Sequence, residues 1–163
     1  RDDARTRIAD ILAASPDIDP KEHGLTLAAL GDWAIAKEDP ATARGYYAEA
    51  YRLLTDAAAD EPSTAFAVPE MIDFVSPLSS VDRGERSRPY AWGSIELAFD
   101  VSADGRASNV SVFKATPPGV MDEAYSRRIR ETHFRPRIVA GQPVATTGVH
   151  STHYFRYYVA DKK

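Results

Sequence analysis

The sequence of 163 residues contains no cysteine. Disulfide bridges and thiolate zinc sites are therefore excluded, and cysteine usage carries no information on the redox compartment. No apolar run approaches the roughly 18 residues that a transmembrane helix needs. The chain begins at Arg1 rather than at a methionine, and we expect any signal segment or membrane anchor to lie upstream of it.

Signatures of the common enzyme classes are also missing. The sequence has no G-x-S-x-G nucleophile elbow, no residue order that suggests a catalytic triad, and no glycine-rich phosphate loop. Asp100 and Asp104 are close in sequence, but one falls on the polar side of a strand and the other in an aspartate-glycine turn, so structural roles account for both. The sequence predicts a protein without enzymatic activity and without a cofactor.

His150 and His153 come closest to a metal-binding motif. Residues three apart on a strand point to opposite faces, and neither a cysteine nor a nearby aspartate pair completes a coordination shell. No metal site is predicted.

Charge is distributed unevenly along the chain, whose formal net charge is -4. Residues 1–62 carry 7 basic and 13 acidic side chains, whereas residues 63–163 carry 13 and 11. Neither part supplies the basic stripe that nucleic-acid phosphates require. Nucleic acid is therefore not an expected partner.

Two helices are predicted between Gly24 and Leu54, separated at Asp39-Pro40, because proline fits the first turn of a helix and disrupts the interior. A further helix is predicted over Asp2 to Ala14. Tyr47 and Tyr51 are one helical turn apart and are expected in a packed core.

This helical hairpin resembles a tetratricopeptide repeat. The residues that carry the resemblance are Leu27, Leu30, Gly31, Ala43, Tyr47 and Ala50. Such repeats usually need about three copies to bury their faces, and one full copy is present, so the array is expected to be truncated or atypical. Because that family mostly binds proteins, a peptide-binding groove and a plain scaffold both remain open.

The second half opens with a half-buried strand. Between Gly93 and Val101, apolar residues alternate with polar ones. A turn follows in which Gly105 can adopt a positive φ, and a second strand is predicted from Ala107 to Lys114. Val110 and Val112 are expected to continue the buried face.

A helix and a final strand complete this half. Pro117-Pro118-Gly119 stops the second strand, and the helix is predicted to run from about Asp122 to His133, capped by Asp122 or a neighbour. The stretch from Val144 to Val159 is rich in β-branched and aromatic residues and predicts a long closing strand.

Residues Gly93 to Tyr158 resemble the carboxy-terminal domain of the TonB family of energy transducers. The carriers are Gly93 to Val101, Asp104-Gly105-Arg106, Asn109-Val110, Val112, Met121 to Ala124, Ile129, Phe134-Arg135-Pro136, Gly141 and Pro143-Val144. In that family the domain sits in the periplasm, and its sheet edge accepts an extended segment of an outer-membrane transporter. The amino-terminal end reaches an inner-membrane motor complex.

The resulting prediction is an α+β fold. A tetratricopeptide-like helical hairpin (1–60) is followed by a linker that packs partly on both units (61–92). Residues 93–163 form a TonB-like antiparallel three-stranded sheet with one covering helix, in β-β-α-β order. The resemblance implies a periplasmic protein-binding module, with an inner-membrane anchor in the full-length product and roles in transmembrane or protein transport.

The preferred contact surface is the outer edge of the closing strand, whose backbone can hydrogen-bond an incoming strand. The side chains expected to give selectivity are Thr147, Val149, Ser151, His153 and Phe155, together with the alternate set. Phe155 and Tyr157 are expected on the inner face.

A weaker candidate surface is basic. It comprises Arg127, Arg128, Arg130 and Arg135, with Arg137 nearby. These cations suit acidic partner loops or lipid head groups, and the alternative is a solvated helix face that complements the helix dipole.

Two functions follow from these features. In one, the chain is the periplasmic part of an energy transducer that captures a transporter's extended segment. In the other, it is an envelope adaptor or assembly factor that keeps the fold without energy coupling.

Overall fold

The computed structural model describes Thr6, Asp10 and residues 18–57, 64–84 and 88–159. These residues form an α+β structure with two hydrophobic cores, one in a pair of helices and one between a sheet and its covering helix. The helix predicted over Asp2 to Ala14 lies outside the described residues except for Thr6 and Asp10, which are helical. None of the helices that the described residues form is both long enough and apolar enough to cross a membrane.

The helical pair consists of α1 (Pro20–Ala36) and α2 (Pro40–Asp56). Each helix starts at a proline that follows a capping aspartate. Asp19 accepts a hydrogen bond from the Lys21 backbone, and Asp39 accepts one from the Thr42 backbone, both at 3.1 Å. Proline costs nothing at this position because its missing N–H would have no partner in the helix. The predicted break at Asp39-Pro40 is confirmed.

Close approach of the two helices depends on Gly31. A Cβ added there would lie 2.4 Å from Cε1 of the Tyr47 ring, so only glycine leaves room for this ring. Tyr47 is fully buried, and Tyr51 packs partly buried on the same core. Their predicted location in the core agrees with the structure.

We expect Gly31→Ala and Gly45→Ala to have opposite effects on stability. The first places a methyl group into the buried Tyr47 ring and should lower the free energy of unfolding by about 2 kcal/mol. Gly45 is an exposed residue of α2 with no atom within 4 Å of an added Cβ. There, alanine should raise that free energy by about 0.5–1 kcal/mol through helix propensity. Urea unfolding followed by circular dichroism measures both, and equal effects of the same sign would contradict the packing described.

Residues 64–84 connect the helical pair to the sheet and contact both cores. Phe66 is fully buried in the helical core, whereas Met71 and Phe74 pack against the core of the sheet. A two-residue strand, β1 (Glu70–Met71), lies in this segment. A single helical turn, α3 (Ser80–Arg83), ends it and is capped reciprocally by Ser79 and Asp82.

Three antiparallel strands form the sheet, in the order β3-β2-β7. They are β2 (Tyr90–Val101), β3 (Ala107–Thr116) and β7 (Thr146–Tyr158). One face is covered by α4 (Asp122–Glu131), which confirms the predicted β-β-α-β order. The buried residues of this core are Ile95, Leu97, Phe99, Val101, Met121, Tyr125, Ile129, Phe134 and Phe155.

Short strands complete the fold between α4 and β7. β4 (Phe134–Arg135) pairs with β1, and β5 (Arg137–Val139) pairs with β6 (Gln142–Val144). Val144 therefore belongs to a small ribbon, and the closing strand starts at Thr146 rather than at Val144.

Two local predictions are wrong. Val112 is 36% exposed instead of buried, although it lies opposite the buried Leu97. The N-cap of α4 is Met121, which makes no side-chain capping bond, and Asp122 is already the first helical residue. Its carboxylate still lies in the first turn, where negative charge suits the helix dipole.

Arg135 joins the helical pair to the sheet unit. Its Nε and Nη2 donate to the two carboxylate oxygens of Asp32 in α1, at 2.8 and 2.5 Å. Nη1 donates to Glu70 at 2.8 Å and to the Ala65 carbonyl at 3.1 Å. Tyr47 donates its hydroxyl to Asp32 at 2.9 Å. Burial and the Asp32 charge raise the pKa of Tyr47.

Candidate functional site

The closing strand β7 pairs with β2 along nearly its whole length, from Tyr90 opposite Tyr158 to Val101 opposite Thr146. Within the described ranges, no strand pairs with the other side of β7. Its 13 residues thus present one hydrogen-bonded side and one side without a neighbouring strand. An edge of this kind is a template for adding another strand.

Side chains of the predicted contact residues divide between the two faces of the sheet. Val149, Ser151, His153 and Phe155 point towards α4, and Phe155 is only 4% exposed. Thr147 is exposed. The alternate set points to the uncovered face and is exposed: His150, Thr152 and Tyr154. A partner strand at the edge can pair with the backbone of both sets. On the open face, it can contact the side chains of the alternate set only.

His150 and His153 lie on opposite faces, as predicted. His150 Nδ1 is 2.8 Å from the Glu96 carboxylate, on the open face. His153 stacks on Phe74 at 4.5 Å and on Tyr125 at 5.1 Å between ring centroids. Burial lowers the pKa of His153.

This burial predicts a loss of stability in mild acid. The unfolded chain protonates His153 near the ordinary pKa of about 6.5, while the folded chain holds it neutral to lower pH. Stability should therefore fall as the pH drops from 7 to 5. His153→Phe should flatten that fall. Thermal unfolding at several pH values measures this dependence. If the melting temperature fell equally with pH in wild type and His153→Phe, the prediction would be refuted.

The open face of the sheet carries large exposed aromatic side chains. Trp92, Phe113 and Tyr154 are 67%, 65% and 69% exposed. Trp92 was not singled out from the sequence, because the strand was expected to start at Gly93. The same alternation extended upstream would have placed Trp92 on the polar face.

A cleft of about 200 Å³ opens beside the carboxy-terminal part of β7. Its lining residues come from the connecting segment, from α4 and from both faces of the sheet: Ser76, Pro77, Asp82, Trp92, Tyr125, Tyr154, Phe155 and Arg156. Asp82 forms an ion pair with Arg156. The Ser79 backbone N–H and the Arg156 guanidinium lower the pKa of Asp82. No sequence pattern indicated this cleft, because residues 61–92 were predicted only as a linker.

Three of the four candidate arginines lie on α4. Arg127 is exposed, and the Nη1 atoms of Arg128 and Arg130 lie 3.6 and 3.8 Å from glutamate oxygens of the same helix. The fourth, Arg135, is partly buried in the interface with the helical pair. The structure therefore does not bring all four guanidinium groups to one surface.

The sheet unit is similar to proteins of known family. Residues 90–156 match the family model described as Gram-negative bacterial TonB protein C-terminal. A similar solved structure is the solution NMR structure of the Pseudomonas aeruginosa TonB C-terminal domain, at 21% sequence identity and a TM-score of 0.37. That similarity covers 58% of this chain and 89% of the other chain. Among curated proteins, none matches the chain. Residues 90–156 thus match a TonB C-terminal family model, over less than half of the chain.

Proposed function

We propose that this chain is a non-enzymatic protein-binding module of the bacterial cell envelope that binds an extended partner segment by strand addition to the outer edge of β7. The observation that carries the proposal is a 13-residue strand that, among residues 18–57, 64–84 and 88–159, pairs on one side only. Main-chain hydrogen bonds would supply affinity, and alternate side chains would supply selectivity.

The two edges of the sheet differ in how well they suit an added strand. β3 carries Lys114, a positive φ of 51° at Asn109 and two irregularities in its pairing with β2. Lysine and bulges are features that protect an edge from pairing. β7 contains neither proline nor lysine. Its positive φ, at Gly148, and its one irregularity in pairing with β2 lie at its start, and the pairing is regular from Val149 to Tyr158. Of the two edges, β7 is the one suited to a partner strand.

The family match over residues 90–156 supports a protein partner and an envelope location. We propose a periplasmic position, an inner-membrane anchor in the full-length product, and an outer-membrane transporter as the source of the extended segment. In this role the chain would take part in energy-coupled transport.

A second function is supported by the Arg135–Asp32 contact. Because this contact fixes the helical pair to the sheet unit, the helices are positioned to hold a second protein while β7 holds the first. The chain would then be an envelope adaptor or assembly factor without energy coupling. An amino-terminal membrane helix with a proline-rich spacer in the full-length product would favour the transducer, and a cleavable signal alone would favour the adaptor.

The edge can be tested by titrating the ¹⁵N-labelled chain with seven-residue peptides from the amino-terminal segments of outer-membrane transporters. We expect amide shifts along β7 and loss of binding when alternate peptide nitrogens are methylated, since methylation removes the donors that pair with the edge. Even a contact of about 4 kcal/mol registers at about 1 mM peptide. If no amide chemical shift changed at that concentration, or if the changes were confined to β3, strand addition of these segments at β7 would be overturned.

A further inference from the structure

The connecting segment passes from one face of the sheet to the other beside β7. On the covered face, Phe74 stacks on His153, 4.5 Å between ring centroids. A few residues later, Asp82 forms its ion pair with Arg156, whose guanidinium lies 5.9 Å from the Trp92 ring centroid on the open face. The chain between Phe74 and Asp82 must therefore pass from the covered face of the sheet to the open face.

The position of this crossing follows from the cleft. β2 occupies one side of β7, so the segment can cross only at the outer edge of β7 or beyond its end. Ser76 and Pro77 line the cleft together with Tyr154, Phe155 and Arg156. Since the cleft includes residues from both faces, it lies at the outer edge, and the segment crosses there. The crossing is held by the Asp82–Arg156 ion pair and by α3, which packs beside the end of β7.

This crossing divides the edge of β7 in two. Next to Tyr154–Tyr158 an incoming strand meets Ser76, Pro77 and α3, whereas the stretch from Thr147 to His153 has no neighbouring strand in the described part of the chain. The Tyr154 carbonyl already accepts a hydrogen bond from the Tyr125 hydroxyl at 3.2 Å. Pairing with a partner is thus confined to the stretch before Tyr154.

The chemistry of the cleft indicates what occupies it. Five of its eight lining residues carry rings: Pro77, Trp92, Tyr125, Tyr154 and Phe155. The two charged groups, Asp82 and Arg156, are paired with each other, so no charge is left for a charged ligand to neutralise. An apolar ring buried among aromatic rings gains both area burial and favourable ring–ring contact.

We propose that the extended segment bound by this protein pairs with Thr147 to His153 only, and that the partner residue at the end of this pairing places an aromatic side chain in the cleft beside Ser76 and Pro77. This inference rests on the proposed strand addition and specifies the partner: a short extended segment with a terminal aromatic residue.

The test uses the acetylated, amidated peptide Thr-Val-Thr-Lys-Thr-Val with phenylalanine or serine added at either end. We expect one of the two phenylalanine peptides to bind about tenfold more tightly than its serine counterpart, a difference typical of one buried aromatic contact. Trp92→Ala should reduce this preference to about twofold or less. Phe113→Ala is the matched control, because Phe113 is equally exposed on the same open face but belongs to β3; it should keep the preference.

The measurements distinguish failure of the aromatic cleft from failure of strand addition. If amide shifts appear along Thr147 to His153 but phenylalanine and serine peptides bind equally at both ends, the aromatic cleft is refuted and strand addition stands. If Trp92→Ala and Phe113→Ala reduce the preference equally, the cleft is refuted as well. If no peptide shifts the β7 amides at about 1 mM, strand addition fails and the role of the cleft fails with it.

Discussion

Replacing Asp32 by alanine is expected to lower the free energy of unfolding by about 3–5 kcal/mol, the usual cost of removing one partner of a buried ion pair. The side chains of Arg135 and Asp32 are 13% and 18% exposed. Without Asp32, Arg135 keeps Glu70 and the Ala65 carbonyl but loses two of its hydrogen bonds. The buried Tyr47 hydroxyl loses its acceptor in the same step.

Urea unfolding followed by circular dichroism measures this loss. The matched control is Asp104→Ala, which removes an ion pair to Arg44 between the same two units with both side chains 52% exposed. An exposed pair contributes at most about 1 kcal/mol, so the control should change little. Equal effects of the two variants would show that the buried pair does not hold the units together.

This contact matters for function because it determines whether the helices and the sheet move as one body. If Asp32→Ala leaves peptide binding at β7 unchanged while lowering stability, the edge acts independently of the helical pair. A parallel loss of binding would mean that the connecting segment, which runs from the helical core to the cleft, transmits the disturbance to β7. That segment contains Glu70, a second partner of Arg135, and Asp82, the partner of Arg156.

The order of strands and helix was predictable because it depends on local patterns. Alternation from Gly93 to Val101 and the prolines at 117 and 118 fix where strands run and stop. The exposure of Val112 was not predictable, since alternation places it on the same face as the buried Leu97 and gives no measure of how far α4 covers β3.

The candidate site was predictable in part, because the closing strand is also visible in the local sequence pattern. A long closing strand in a three-stranded sheet indicates a free edge, and Thr147 to Phe155 follow from its length. The part played by Arg135 was not predictable, because its partner Asp32 is 103 residues away. The crossing of Ser76 and Pro77 beside Tyr154 likewise depends on contacts between distant segments.

Gly105→Ala is the second substitution with a large expected effect, a loss of about 3–4 kcal/mol. Gly105 has a φ of 76°, as its turn position predicts, and an added Cβ would lie 2.2 Å from the Phe134 carbonyl oxygen and 3.0 Å from Ile35 Cγ2. Phe134 also donates its backbone N–H to the Gly105 carbonyl at 3.0 Å, so neither strand end can move away without breaking this bond. The turn is therefore held between β4 and α1.

Gly119→Ala is the matched control, because it introduces the strain of a positive φ without the steric contact that an added Cβ makes at Gly105. Gly119 has a φ of 80°, but no atom lies within 4 Å of an added Cβ. Alanine there incurs only the cost of the left-handed conformation, about 1 kcal/mol. The difference between the two variants in urea unfolding measures the contact of the β2–β3 turn with β4 and the helical pair. If both cost about 1 kcal/mol, the turn is free to shift, and the sheet is less firmly positioned against the helices than the distances imply.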